Sequence, residues 1–136
     1  MPDLVFQLSR GGVLEKCHGS REDMYRAPEQ FIGKHVSEVL PPDVADITIQ
    51  NLRQAAATGA VQVYEYSLPI GGRTRYFESR LLMGSPDSAL AIVRDITERK
   101  RAEQEQARLH ERLEKAERME ALGILAGGMA HDLNNM

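Results

Sequence analysis

The chain has 136 residues, a formal net charge of −3 and a single cysteine, Cys17. That charge gives no general attraction to nucleic acid or anionic membrane, and one cysteine excludes an intrachain disulfide framework and a multi-cysteine metal site. Hydrophobic residues make up 42% and charged residues 27%, as in a globular domain; aromatics are only 5% and Trp is absent, so the core must come mainly from Leu, Val, Ile, Ala and Met. No apolar run approaches membrane-spanning length, and Met1-Pro2-Asp3 lacks the basic and apolar segments of a secretory leader. The chain is therefore expected in the cytoplasm, with the anchoring of any larger parent undetermined.

Leu4-Val5-Phe6-Gln7-Leu8 reads as a short strand, Gly11-Gly12 as a tight turn, and Val13 to Cys17 as the answering strand of a hairpin. Residues 20 to 40 suggest short helical turns, with Ala27-Pro28-Glu29 as a start and Gly33 as a break. Pro41-Pro42-Asp43 leads into a clearer helix in which Val44, Ile47, Leu52 and Ala55 or Ala56 recur at helical spacing, and Gly59 ends it. Three strands follow: Val61 to Leu68, Thr74 to Met83 after the Gly71-Gly72 turn, and Ala89 to Ile96, an apolar run suited to a central strand buried on both faces. The hairpin must join these three strands, because two strands alone are marginal. The fold class is thus α+β, with a five-stranded antiparallel sheet and helices on one face.

Composition shifts at Asp95-Ile96-Thr97-Glu98, where Thr97 is a natural helix N-cap and Glu98 an acid in the first turn. Residues 98 to 120 contain no Pro or Gly, and Ala102, Gln106, Leu109, Leu113 and Ala116 follow heptad steps of 4, 3, 4 and 3. A helix this long and polar has nowhere in a small domain to bury its stripe, so a homodimer through the C-terminal helix is the economical arrangement. Near Met119 successive steps of three make the heptad phase slip, a place for a switch between two packings. Gly123, Gly127 and Gly128 run against helix propensity, yet the apolar stripe continues through Leu122, Ala126, Met129 and Leu133.

At the C-terminal end, His131 is followed by Asp132 and, four residues on, by Asn135. On a helix, positions i and i+4 share a face. Neutral imidazole is a competent nucleophile near neutral pH, and an adjacent carboxylate can orient it and take its proton. His131 is therefore the candidate phosphoacceptor and Asp132 the candidate base. There is no glycine-rich phosphate loop beside a lysine and no acidic Mg²⁺ cluster, so no nucleotide site is expected in these residues.

Two resemblances emerge from these motifs. Leu4 to about Lys100 resembles a PAS sensor domain. The most specific match is Val93-Arg94-Asp95-Ile96-Thr97-Glu98-Arg99-Lys100, similar to the family's end-of-domain motif, with weaker matches at Ile32-Gly33-Lys34 and Arg75-Tyr76-Phe77-Glu78. Leu122 to Asn135 resembles the start of a histidine-kinase dimerisation and phosphoacceptor domain. The resemblance implies a PAS-like domain over 1–97, a coiled-coil signalling helix over 98–118, and over 119–136 the first helix of a phosphoacceptor domain, cut short.

It further implies the sensory and dimerisation part of a two-component sensor histidine kinase that relays a signal to His131, with Asn135 at the water-positioning place of the phosphatase reaction. ATP and Mg²⁺ would belong to an ATP-binding kinase domain that the chain lacks, so the chain alone should be inactive, and a response-regulator receiver domain would be the downstream partner. Asp95 and Thr97 are expected to latch the last strand to the helix.

The ligand of the sensor domain is unknown from sequence. His18 and His35 are the candidate haem or metal ligands but read better as surface or turn residues, and haem-binding relatives place a histidine on the long helix, where Val44 to Thr58 has none. Cys17 lies outside the family's photoreactive flavin motif and reads as a small core residue. Tyr64, Tyr66 and Tyr76 are candidates for lining a pocket or packing the sheet. A non-enzymatic ligand-binding and dimerisation module, or a haem or flavin redox sensor, are the alternatives. The expectation is no metal, no committed chromophore, a small-molecule ligand of unknown identity, no nucleic acid partner and no membrane segment.

Overall fold

The computed structural model describes the backbone of residues 3–134 and the side chains of residues 3–123. The chain divides after Thr97 into two compact units, residues 1–97 and 98–136. In the first unit, strands β1 (Leu4–Ser9) and β2 (Leu14–His18) form the expected hairpin. A 3-10 turn at Arg21–Asp23 and two one-turn helices, α1 (Pro28–Phe31) and α2 (Val36–Val39), lead to the long helix α3 (Pro42–Thr58). Strands β3 (Gln62–Ile70), β4 (Arg73–Met83) and β5 (Ser88–Asp95) complete a five-stranded antiparallel sheet in the order β2-β1-β5-β4-β3. The second unit is helix α4, which begins at Thr97 and spans Thr97–Asn134.

β5 is central, paired with β1 on one side and β4 on the other. It is not buried on both faces, as its apolar run suggested. Ala89, Ala91 and Val93 point into the core, whereas Ile92 and Arg94 on the other face are exposed. Within residues 1–97 the helices cover one side of the sheet, so an antiparallel meander leaves the other side polar or open. Pro69 sits near the end of β3, an edge strand, where its missing N–H breaks no central ladder.

The core has two parts. Leu4, Leu8, Leu68, Phe77 and Val93 from the sheet pack against Met24, Phe31, Val36, Val39 and Val44 from the helical segment. Leu52 and Ala55 of α3 pack on Tyr64, Leu81 and Ala89. The buried stripe of α3 is Val44, Ala45, Thr48, Leu52 and Ala55, so the expected Ile47 is displaced to the half-buried flank by a polar residue. Thr48 can occupy that inner position because its hydroxyl meets the Tyr64 phenol.

The hairpin is tied to the helical segment by backbone bonds. Leu14 N–H donates to Lys34 O, Gly33 N–H to Leu14 O, and Val36 N–H to Gly12 O. His35 reinforces this link. Its Nε2 lies 2.8 Å from Gly11 O, and its Nδ1 accepts from the Ser37 N–H at 3.2 Å at the start of α2. Gly12 has φ +94°, and a Cβ there would stand 2.8 Å from His35 Nε2. Gly33 has φ +86° with open space around it.

Gly33→Ala should therefore cost only left-handed strain, about 1 kcal/mol. Gly12→Ala must also push the imidazole off Gly11 O, for a total of about 2–3 kcal/mol. Urea unfolding measures both, and equal losses would remove His35 from this description.

Candidate functional site

Between the sheet and the helical segment lies a cavity of about 80 Å³. Its wall is mostly apolar, with Leu4, Leu8, Phe31, Leu68, Phe77 and Val93 contributing. Alternation along each strand sends these side chains to one face, and helices too short to cover that face completely leave the space.

Thr48, Tyr64, Tyr66 and Ser79 form a polar group in that wall, and Asp23, Tyr25 and Arg26 also line it. Tyr64 and Ser79 are directly opposite each other on β3 and β4. The Tyr64 hydroxyl donates to Thr48 Oγ1 at 3.4 Å. Burial pushes the Tyr64 phenol up, with Ser79 and Thr48 easing the shift slightly. Ser79 is nevertheless fully buried, and its Oγ makes no hydrogen bond of acceptable geometry with any described protein group. Tyr66, stacked on Phe77 and tilted against Tyr64, is half-buried with its phenol among protein groups, and burial pushes that phenol well up. Tyr66 lines the cavity. The interior therefore penalises charge strongly.

A second cluster stands where the sheet ends and helix α4 begins. Asp95 closes β5, and its Oδ1 accepts from the Thr97 N–H at 2.8 Å and from the Thr97 hydroxyl at 2.5 Å. Thr97 Oγ1 in turn accepts from the Tyr76 N–H of β4 at 3.0 Å. Thr97 is therefore the first helical residue, and the carboxylate taking its free N–H comes from Asp95; the sequence had suggested Thr97 itself as the cap. Arg75 of β4 completes the cluster. Its guanidinium donates to Asp95 Oδ2, through Nε at 2.9 Å and also through an Nη, and that Nη donates to Asp23 Oδ1 at 2.8 Å.

Asp23, in the 3-10 turn, and Phe77, whose ring lies 5.7 Å from the Arg75 guanidinium carbon, both line the cavity. One cation thus joins the cavity wall to the first residue of the long helix. Burial alone would raise the Asp95 carboxyl. The Thr97 hydroxyl and amide and the Arg75 guanidinium outweigh it and hold the group below its ordinary value.

The other residues singled out by sequence fall as follows. His18 is exposed at the end of edge strand β2, and His35 has both ring nitrogens engaged with Gly11 and Ser37. No group of three metal-ligating side chains occurs among the described residues. Cys17 is half-buried against the core, where burial pushes its thiol up. Tyr64 and Tyr66 line the cavity, whereas Tyr76 belongs to the helix junction through its backbone.

Leu109, Leu113, Met119 and Leu122 are exposed along α4, which runs unbroken through Gly123, Gly127 and Gly128. His131 and Asp132 lie within α4, but their side chains, and all of Asn135, lie outside the described residues. No helix among the described residues is long and apolar enough to cross a membrane. Arg75, Asp23 and Ser79 were not anticipated as functional residues; only the Arg75-Tyr76-Phe77-Glu78 pattern hinted at the first.

Residues 1–101 match the PAS fold, and the chain belongs to that family of sensor domains. Solved PAS structures agree. The PAS domain of the quorum-sensing receptor RpfR of Cronobacter turicensis, in complex with BDSF, is 19% identical, with a TM-score of 0.61 over 71% of this chain and 96% of that one. The PAS domain of Bordetella pertussis BvgS is 21% identical, with a TM-score of 0.58 over 82% of this chain and 89% of that one. The photoactive yellow protein domain of the sensor histidine kinase Ppr of Rhodospirillum centenum is 17% identical, with a TM-score of 0.58 over 69% and 86% of the two chains. At these identities the likeness is one of fold.

Asp95→Asn should lower stability at pH 7 by about 2 kcal/mol, the scale of a hydrogen-bonded charge removed from a largely buried site. The folded carboxyl titrates below the unfolded one. Its contribution is therefore complete above about pH 4 and is lost as pH falls through the lower folded value. Urea unfolding of both proteins at pH 7 and at pH 3 should show the difference shrinking in acid; a gap independent of pH would contradict the assignment.

Proposed function

We propose that this chain is the sensory and relay part of a two-component sensor histidine kinase. The observation that carries the reading is the Arg75 cluster, which ties the cavity wall at Asp23 to the first residue of an uninterrupted helix that contains His131. A ligand in the cavity repositions the segment that bears Asp23. Arg75 then redistributes its bonds between Asp23 and Asp95, and the hold of Asp95 on Thr97 changes. Helix α4 carries that change toward the heptad slip near Met119. The exposed Leu109, Leu113, Met119 and Leu122 support pairing of α4 with a second copy of the chain.

At His131 an unprotonated ring nitrogen attacks the γ-phosphorus of ATP presented by an ATP-binding domain; the N–P bond forms as the P–O bond to ADP breaks. Asp132 takes the proton from the other ring nitrogen. A receiver domain then accepts the phosphoryl group as the N–P bond breaks, and in the separate phosphatase reaction Asn135 positions a water that hydrolyses the phosphorylated receiver to inorganic phosphate. Support comes from the resemblance of Leu122 to Asn135 to a phosphoacceptor helix, read from the sequence alone, and from PAS domains of similar fold, one in a sensor histidine kinase and one in a receptor complexed with BDSF.

In the full-length parent, ATP should label the protein with acid-labile phosphate, and His131→Gln should abolish the label. Asp95→Ala should leave labelling intact but remove its response to cavity ligands. Label retained in His131→Gln, or unchanged regulation in Asp95→Ala, contradicts the phosphoacceptor or the latch, respectively.

A further inference from the structure

Resting on the reading of the cavity as the sensor site, we infer that its ligand is a small, uncharged, mostly apolar molecule with one hydrogen-bond acceptor, bound by the Ser79 hydroxyl. Ser79 lines the cavity from the middle of the sheet, between Tyr64 on β3 and Val93 on β5. It is fully buried with no described protein partner for Oγ. Buried hydroxyls are nearly always bonded, and an unspent one carries its whole desolvation cost. The neighbouring phenol does not relieve it: Tyr64 gives its proton to Thr48, and its oxygen, which could accept from Ser79, stands outside hydrogen-bond geometry of Oγ. Ser79 thus keeps a donor available toward a mostly apolar cavity, a placement suited to a carbonyl, ether or alcohol oxygen.

Charge is excluded by the surroundings. Asp23 and Arg26 are the charged residues on the cavity wall. Asp23 is held by Arg75; Arg26 is exposed, with its Nε 3.4 Å from Val39 O and its guanidinium over the Tyr25 ring. The cation on the wall, Arg26, is solvent-exposed rather than buried with Ser79, and the burial that raises the Tyr66 phenol would penalise a carboxylate there. Size follows from volume. A cavity of about 80 Å³ is near half the roughly 150 Å³ that admits benzene in an apolar protein core. The ligand that fits without moving the walls therefore has only a few heavy atoms.

The test uses three probes with equal numbers of heavy atoms: 2-butanone, its hydrocarbon isostere 2-methyl-1-butene, and propanoate. Each is titrated into the isotope-labelled chain at pH 7 while the amides of Thr48, Tyr64 and Ser79 are followed by NMR. The ketone and the alkene should shift these amides saturably, and propanoate should not. Ser79→Ala should weaken the ketone about five- to tenfold and leave the alkene unchanged or tighter. Ser79→Cys, which keeps the side-chain volume with a weaker donor, should fall between. Equal effects of Ser79→Ala on ketone and alkene, or propanoate binding as tightly as the ketone, would overturn the inference while sparing the sensor cavity. If neither neutral probe reaches these amides, the inference and the sensor cavity both fall.

Discussion

One guanidinium is shared by two carboxylates from distant parts of the chain: Arg75 holds Asp23 of the 3-10 turn and Asp95 at the end of β5. The planar fork of arginine suits this double duty, since its separate N–H groups reach two acceptors without deprotonation at any accessible pH. A lysine ammonium would supply the charge but not the fixed fork. The arrangement sets two boundaries at once, where the cavity wall is pinned and where the sheet gives way to helix. Asp95 spends its other oxygen on Thr97, and Thr97 returns to β4 at Tyr76, so the helix starts from a closed ring of bonds.

The cavity and the helix junction place opposite demands on polar groups. At the junction both Asp95 carboxylate oxygens and the Arg75 guanidinium have named partners, which gives a defined geometry. Inside the cavity one hydroxyl is left unspent, at a cost to stability that an unaided fold would avoid by placing alanine there. Natural sequences tolerate such a cost mainly where a site requires it. A well-bonded junction thus stands beside a cavity with one hydroxyl unspent.

Much of this was legible in the sequence, for identifiable reasons. Period-two alternation and the Gly71-Gly72 turn revealed the strands, and Pro42 and Gly59 bounded α3. The change from alternating to charged composition at Asp95 marked the start of α4. Sequence reasoning failed where a residue's role depends on a distant partner. Thr48 reads as a surface residue until Tyr64 is placed opposite it. Arg75 reads as one charge among many until the sheet order brings β4 beside β5 and the 3-10 turn over both. Ser79 shares the face of β4 that Phe77 and Leu81 mark as inward, so its position was readable from alternation; that its hydroxyl finds no protein partner was not, because that depends on β3 and β5 beside it. The two-sided burial inferred for β5 failed for a related reason: an apolar run does not say whether both faces have something to cover them.

Amide hydrogen exchange in the intact chain and in Arg75→Gln tests the coupling most directly. The Met24 N–H, bonded to Arg21 O beside Asp23, and the Thr97 N–H, bonded to Asp95, report the two sides of the guanidinium. If Arg75 couples them, its loss should quicken both together, by roughly ten- to a hundredfold if a charge-assisted bond is lost on each side. Faster exchange at only one amide, or at neither, would mean that the cavity wall and the start of the helix move independently.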